Sequence, residues 1–211
     1  MCSSDLADLW NFYGPTETTV WSTTCRVGSS SLLTSIGRAI ANTRVYVLDD
    51  QRHPVPRGCV GQLWIGGMGV ARGYRNRPEL TVEKFVLDPF SGEAGSRMYA
   101  TGDLARWSGD GTLECLGRID RQVKIRGLRI ELEEIETILR MQPGVAEVAV
   151  TVVGEASHMT ARLVAHVVAD PGVTLDRDAL RQALRSQLPE YMVPVVLPPL
   201  AALPLTSSGK I

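Results

Sequence analysis

Five glycines, at 61, 66, 67, 69 and 73, crowd one short stretch of this chain. Glycine at such density implies tight turns and backbones in close approach. Around it, residues 43 to 76 read as short strands. Arg44-Val45-Tyr46-Val47-Leu48 stops at Asp49-Asp50, and Gly61-Gln62-Leu63-Trp64-Ile65 stops at Gly66-Gly67. Pro78 through Phe85 then has the signs of a short helix, with Pro and Glu79 in its first turn. Residues 97 to 117 return to a meander, with Gly109-Asp110-Gly111 as the hairpin turn.

From Asp120 the texture changes. Gln122-Val123-Lys124-Ile125 and Leu128-Arg129-Ile130 flank Arg126-Gly127, which predicts a tight β-hairpin. Glu131 to Arg140 aligns Leu132, Ile135, Ile138 and Leu139 on one helical face, and Pro143-Gly144 ends that helix. Val145 to Val153 and Leu163 to Val168 are rich in β-branched residues. Asp176 to Leu188 reads as a second helix, apolar at Leu180, Ala183, Leu184 and Leu188. The order hairpin, helix, strand, strand, helix describes a small α+β unit with its own core. The boundary is expected near residue 119, dividing the chain into 1–119 and 120–211.

At 211 residues the chain holds one medium domain or two small ones. No segment approaches the roughly 18 unbroken apolar residues of a membrane span. A net charge of −1 gives no reason to expect nucleic acid or an anionic membrane as partner. The cysteines at 2, 25, 59 and 115 are scattered and form no CxxC pair, which reads as reduced cytosolic thiols and speaks against structural zinc. Met1 to Leu6 has neither a basic segment nor an apolar core, so no signal peptide is expected and the location expected is cytoplasmic.

Several loops have the residue types of a nucleotide site. Asn11-Phe12-Tyr13-Gly14-Pro15-Thr16-Glu17-Thr18-Thr19 combines aromatics, a rigid Gly-Pro turn, a hydroxyl and a carboxylate. Such a turn can present Thr16 to a phosphate oxygen, Glu17 to magnesium and Tyr13 to a base. It is equally an ordinary helix-entry turn with Thr16 as N-cap. Asp103, in Tyr99-Ala100-Thr101-Gly102-Asp103-Leu104, is of the type that accepts both hydroxyls of a ribose, although a Gly-Asp pair alone is just a turn. Lys210 is one of three lysines, with 84 and 124, against nineteen arginines. A compact ammonium in the run Ser207-Ser208-Gly209-Lys210-Ile211 suits a site that must meet a single oxygen, where the planar fork of Arg does not. The plainer alternative is a frayed basic tail.

Six blocks in order resemble the amino-acid adenylation domains of nonribosomal peptide synthetases, a branch of the adenylate-forming (AMP-binding) superfamily. They are 11–19, 61–74, 99–104, 117–131, 188–194 and 208–211, so the resemblance runs from about Asn11 to the last residue. It implies an α+β fold: the C-terminal part of a large, β-rich lobe with a distorted barrel region, followed by a small α+β subdomain. It also implies roles. Asn11 and Tyr13 would lie at the adenine, with Gly14 also among the nucleotide-binding residues, Thr16 at phosphate and Glu17 at Mg2+. Asp103 would hold the ribose, with Arg118 nearby and Lys124 beside the nucleotide. Asp120 would be the hinge of the small subdomain, and Gly127 would sit on the loop that swings in for thioester formation. Lys210 would be the catalytic lysine, bridging the substrate carboxylate and the α-phosphate. Phe12, Val20 and Trp21, with Lys210, would line the amino-acid pocket. Two bulky aromatics there favour a small amino acid.

The implied reaction uses ATP, Mg2+, an amino acid and the phosphopantetheine of a carrier protein. Aminoacyl-AMP forms first, and a carrier thiol then takes the aminoacyl group. Departures from the family pattern are Cys115, where many relatives carry an aromatic, and Ala39, where Pro is usual. The phosphate loop and the Asp for the substrate amino group are absent, so the chain is expected to be the C-terminal part of a longer adenylation domain, inactive alone. Two alternatives stay open. One is an acyl- or aryl-CoA ligase of the same superfamily, and the other is a remnant or carrier-docking lobe without catalysis.

Overall fold

The structure is a computed structural model that describes residues 9–28, 35–154 and 161–204. The chain divides into two compact units, Met1–Asp120 and Arg121–Ile211.

The first unit is built on antiparallel strands. They are β1 (Leu9–Tyr13), β2 (Thr23–Val27), β3 (Ser35–Ala39), β4 (Thr43–Leu48), β5 (Gly61–Gly67), β6 (Phe85–Leu87), β7 (Arg97–Trp107) and β8 (Leu113–Arg118). The path across the sheet is β1-β2-β3-β8-β7-β5-β4, with β6 added against β7. This path is open, with β1 and β4 at its ends, so the barrel expected from the resemblance is not closed. Strand periodicity places apolar residues on both faces. Val47, Leu63, Ile65, Ala105 and Leu113 form one buried cluster, and Leu48, Trp64, Met98 and Ala100 form another. The glycine run serves this packing. A Cβ on Gly67 would fall 2.2 Å from the carbonyl oxygen of Asn42, and one on Gly61 2.6 Å from that of Leu48. The helix α1 (Pro78–Lys84) starts at the expected proline, and β7 turns into β8 at Gly111.

In the second unit β9 (Val123–Ile125) pairs with β10 (Leu128–Ile130) through Arg126-Gly127, as the sequence predicts. The helix α2 (Leu132–Arg140) buries Leu132, Ile135 and Leu139, three to four residues apart, against the sheet. Acidic Glu133 and Glu134 in its first turn and Arg140 in its last complement the helix dipole. β11 (Val145–Val153) and β12 (Arg162–Ala169) are antiparallel. α3 (Arg177–Arg185) is shorter than the periodicity predicts and is capped by Asp176, whose side chain accepts from the backbone of Asp178 and Ala179. A 3-10 turn at Glu190–Met192 then leads to β13 (Val195–Val196), parallel to β12. Ile135, Leu139, Val150, Ala165, Val167 and Leu184 are fully buried in one core. Leu139→Ala there is expected to cost about 2–5 kcal/mol.

Candidate functional site

The sheet order of the first unit brings Tyr13, at the end of β1, to Asp103 on β7. The two are 90 residues apart, and the Tyr13 hydroxyl donates to Asp103 Oδ2. From β8, Arg118 Nη1 donates to Asp103 Oδ1 at 2.6 Å, and its Nη2 donates to the carbonyl of Thr101 at 3.1 Å. Asp103 is 6% exposed. Its backbone N–H donates to Thr101 Oγ1 at 3.0 Å, while that hydroxyl donates to the carbonyl of Leu63 at 2.7 Å. A carboxylate has about four acceptor positions, so this one retains capacity for diol hydroxyls while Tyr13 and Arg118 hold its orientation. Burial, and then the charge of Asp103, push the Tyr13 hydroxyl far up, so it stays a donor. Cys115 and Tyr13 are both partly buried against the cluster of Val47, Leu63, Ile65, Ala105 and Leu113.

Before Asp103, Gly14-Pro15 turns the chain out of β1. A Cβ on Gly14 would fall 2.5 Å from the carbonyl oxygen of Val20, so the turn closes directly onto residues 20–22. Pro15, not Thr16, occupies the N-cap position, and Thr16–Thr18 is a single 3-10 turn without a side-chain cap. The N-cap reading of Thr16 is therefore corrected: φ near −65° and no N–H suit Pro to that place. Thr16 is exposed and Glu17 is buried at 7% exposure. Glu17 Oε1 accepts from the hydroxyl of Tyr74 at 2.7 Å. Thr19 and Val20 follow in the left-handed region, with φ of 62° and 68°. For β-branched residues this is strained, and such strain concentrates at binding sites. It turns Val20 outward, and Phe12 and Trp21 stack with centroids 4.5 Å apart. Both rings are about half exposed. Asn11 donates its side-chain amide to the carbonyl of Ser35 at 2.9 Å.

Among the described residues no three His, Cys, Asp or Glu side chains cluster to hold a metal ion. A buried carboxylate held by a neutral hydroxyl still fits magnesium, which takes one or two protein carboxylates and completes its shell with water and substrate phosphates.

Asp120 closes the first unit. Arg118 Nε and Nη2 donate to its two oxygens at 2.6 and 2.7 Å. Arg121 opens the second unit and is tied there to α2 and β11. Its Nη1 donates to Glu136 Oε2 at 3.0 Å and its Nη2 to the carbonyl of Val150 at 2.9 Å. Glu136 is 1% exposed and also accepts from Arg140 and from the backbone N–H of Val150. Lys124 is exposed on β9. At the hairpin tip Arg126 and Gly127 have φ of 53° and 77°, the pattern of a type I′ turn. Among the described residues a Cβ on Gly127 would meet nothing within 4 Å, so it is the backbone conformation that favours glycine there. Beneath this hairpin lies a groove of about 230 Å3 lined by Ile125, Leu128, Leu163, Tyr191 and Val193.

Tyr13, Asp103 and Arg118 are thus brought together, with Asp120 joined to them through Arg118. Phe12, Val20 and Trp21 form a neighbouring exposed surface. Lys124 and Gly127 belong to the second unit. Lys210 lies outside the described residues. Sequence reasoning missed Thr101, Tyr74, Arg121 and Glu136. Thr101 had a local signal, a hydroxyl two residues before an Asp. Tyr74 stood inside a recognised block without a role.

Residues 2–75 match the family described as AMP-binding enzyme, and residues 134–210 match the AMP-binding enzyme C-terminal domain. Tyrocidine synthase 3 of Brevibacillus parabrevis is 51% identical over 205 residues, which is 97% of this chain and 3% of that protein. Malpinin synthetase of Mortierella alpina is 49% identical over 216 residues, 95% of this chain and 3% of that protein. Among solved structures, an NRPS protein containing adenylation and PCP domains, bound to a vinylsulfonamide inhibitor, superposes with a TM-score of 0.81 at 35% identity. The match covers 96% of this chain and 34% of that one. IdnL1 superposes with a TM-score of 0.83 at 32% identity, over 93% of this chain and 40% of its own. The chain therefore spans a small part of the synthetases and under half of the solved relatives. By its sequence and by the fold of its described residues, this chain belongs to the AMP-binding enzyme family, in the branch of the nonribosomal peptide synthetase adenylation domains.

Proposed function

We propose that this chain forms part of an adenylation domain that converts an amino acid and ATP into aminoacyl-AMP and passes the aminoacyl group to a phosphopantetheine thiol on a carrier protein. The observation that carries this reading is the carboxylate of Asp103, buried and oriented by Tyr13 and Arg118. A fixed acceptor of this kind suits the two hydroxyls of a ribose. The substrate carboxylate attacks the α-phosphorus of ATP, the bond to the pyrophosphate oxygen breaks, and negative charge gathers on the α-phosphate. A positioned cation stabilises that charge, and Lys210 is the residue assigned to it. Removing one such donor typically costs about 3–4 kcal/mol of the barrier. Glu17 is the residue that would hold Mg2+, which supplies charge neutralisation to the phosphates when bound. Asn11, Gly14, Thr16 and Lys124 complete the nucleotide contacts in this reading, with Asp120 as hinge and Gly127 on the thioester-forming loop. The stacked Phe12 and Trp21, with Val20, restrict the amino-acid side, and the substrate proposed is small.

The test is ATP–pyrophosphate exchange by the full-length protein with a panel of amino acids, followed by acyl transfer to the carrier domain or to free coenzyme A. Exchange with a small amino acid and transfer to the carrier are expected. Preference for coenzyme A with an acyl or aryl acid would replace this reading by the ligase alternative. Preference for large aromatic amino acids would overturn the assignment of the pocket. In the same protein Lys210→Ala is expected to abolish exchange and to spare transfer from preformed adenylate.

A further inference from the structure

The block Gly61–Tyr74 ends in a segment to which the proposed chemistry gives no role. Residues 69–74 lie along the 3-10 turn that carries Glu17 and grip it at four points. The N–H of Ala71 donates to the carbonyl of Glu17 at 2.9 Å, and the hydroxyl of Thr19 donates to the carbonyl of Gly69 at 2.7 Å. A Cβ on Gly69 would fall 2.7 Å from the carbonyl oxygen of Thr18, so the two backbones touch. The fourth point is the side chain of Glu17, where the Tyr74 hydroxyl meets Oε1 at 2.7 Å.

Tyr74 is itself held. Its N–H donates to Thr81 Oγ1 at 2.9 Å, and that hydroxyl donates in turn to the carbonyl of Arg77 at 2.8 Å. Gly73 has φ of +136°, and a Cβ there would overlap Thr81 Cγ2 at 2.2 Å, so α1 presses directly on the backbone before Tyr74. The ring meets Phe85 edge-on at 5.3 Å, and the hydroxyl lies 3.4 Å from that of Tyr99.

We infer that Tyr74 is a positioning residue for Glu17: its hydroxyl sets the rotamer of the carboxylate that binds the divalent cation, and the 69–74 segment with α1 is the frame that keeps it there. A ligand carboxylate is commonly oriented by a hydrogen bond behind it, and loss of such a bond typically costs 10–100-fold in metal affinity. The inference rests on the assignment of Glu17 to Mg2+, so the experiment separates the two.

In the full-length protein, Mn2+ binding is followed by electron paramagnetic resonance in the presence of a non-hydrolysable ATP analogue, for the wild type, Tyr74→Phe, Thr81→Ala and Glu17→Gln. The Mg2+ dependence of pyrophosphate exchange is measured in parallel. Tyr74→Phe keeps the ring and its packing, and is expected to weaken Mn2+ binding about tenfold. Saturating Mg2+ should restore most of its exchange rate, and the KM for the amino acid should not change. Thr81→Ala, which loosens the Tyr74 backbone, is expected to shift metal binding the same way by less. A purely structural role would lower thermal stability and leave the metal dependence alone, and that result in Tyr74→Phe overturns the inference while Glu17→Gln still weakens binding. Unchanged Mn2+ binding in Glu17→Gln overturns the metal assignment and the inference with it.

Discussion

Arg118 closes its planar fork on Asp120, with Nε and Nη2 at 2.6 and 2.7 Å from the two carboxylate oxygens, and sends Nη1 back to Asp103. One guanidinium thus joins the proposed ribose acceptor to the proposed hinge. Lysine cannot reproduce two parallel bonds and a third in another direction. In the full-length protein Arg118→Lys is expected to lose about tenfold in kcat/KM for ATP. Asp120→Pro, which fixes φ, is expected to change the ratio of the two half-reaction rates. Single-turnover measurement of adenylate formation and of thioester transfer reads both. Unaltered rates in both variants would separate Arg118 and Asp120 from the chemistry.

Gly127 offers a cleaner separation of strain from contact. Its φ of +77° is costly for any residue with a Cβ, yet a methyl group would touch none of the described residues. Gly127→Ala is therefore expected to destabilise the hairpin by about 1–2 kcal/mol through the backbone alone. A shift in the unfolding midpoint of the second unit measures this. Thioester transfer should fall while adenylate formation persists. Arg126→Asn, which suits the other left-handed position, should be neutral or stabilising.

Glu136 is a buried carboxylate whose partners Arg121 and Arg140 are about half exposed. Those arginines can rehydrate once it is removed, and the backbone N–H of Val150 cannot. Glu136→Ala is expected to destabilise the protein by about 2–3 kcal/mol in urea unfolding. Glu136→Gln keeps an acceptor for Val150 and should recover part of that loss.

Burial, and then the hydrogen bond to Asp88, push the Tyr46 hydroxyl up to about 12. A folded-state pKa raised above the unfolded value near 10 gives stability that is complete below pH 10 and is lost as pH rises towards 12. Unfolding midpoints measured across that interval should fall more steeply for the wild type than for Tyr46→Phe. Equal slopes would show that Tyr46 titrates as it does in the unfolded chain.

The elements that could be read from the sequence were those with a local period. The hairpin around Arg126-Gly127, the apolar stripe of α2 and the β-branched run of β11 each declare themselves within ten or so residues. β1 did not, because Leu9-Trp10-Asn11-Phe12-Tyr13 shows no alternation of polar and apolar residues and is a strand by virtue of pairing with Thr23–Val27. β13 is two residues beside prolines and exists because β12 accepts it in parallel. The site divides the same way. Asp103, Arg118 and Glu17 stand in recognisable blocks, whereas the bonds Tyr13–Asp103 and Tyr74–Glu17 span 90 and 57 residues and depend on the tertiary course of the chain. A single sequence carries the chemistry of each partner without announcing the pairing.

Arg118 fastens one side of the junction to β7, through Asp103, and Arg121 fastens the other to α2 and β11. In the proposed hinge reading, with Arg118 and Arg121 each bound within its own unit, the freedom to turn narrows to the backbone torsions at Asp120. One glycine inserted there is expected to loosen the coupling between the half-reactions while leaving each core intact.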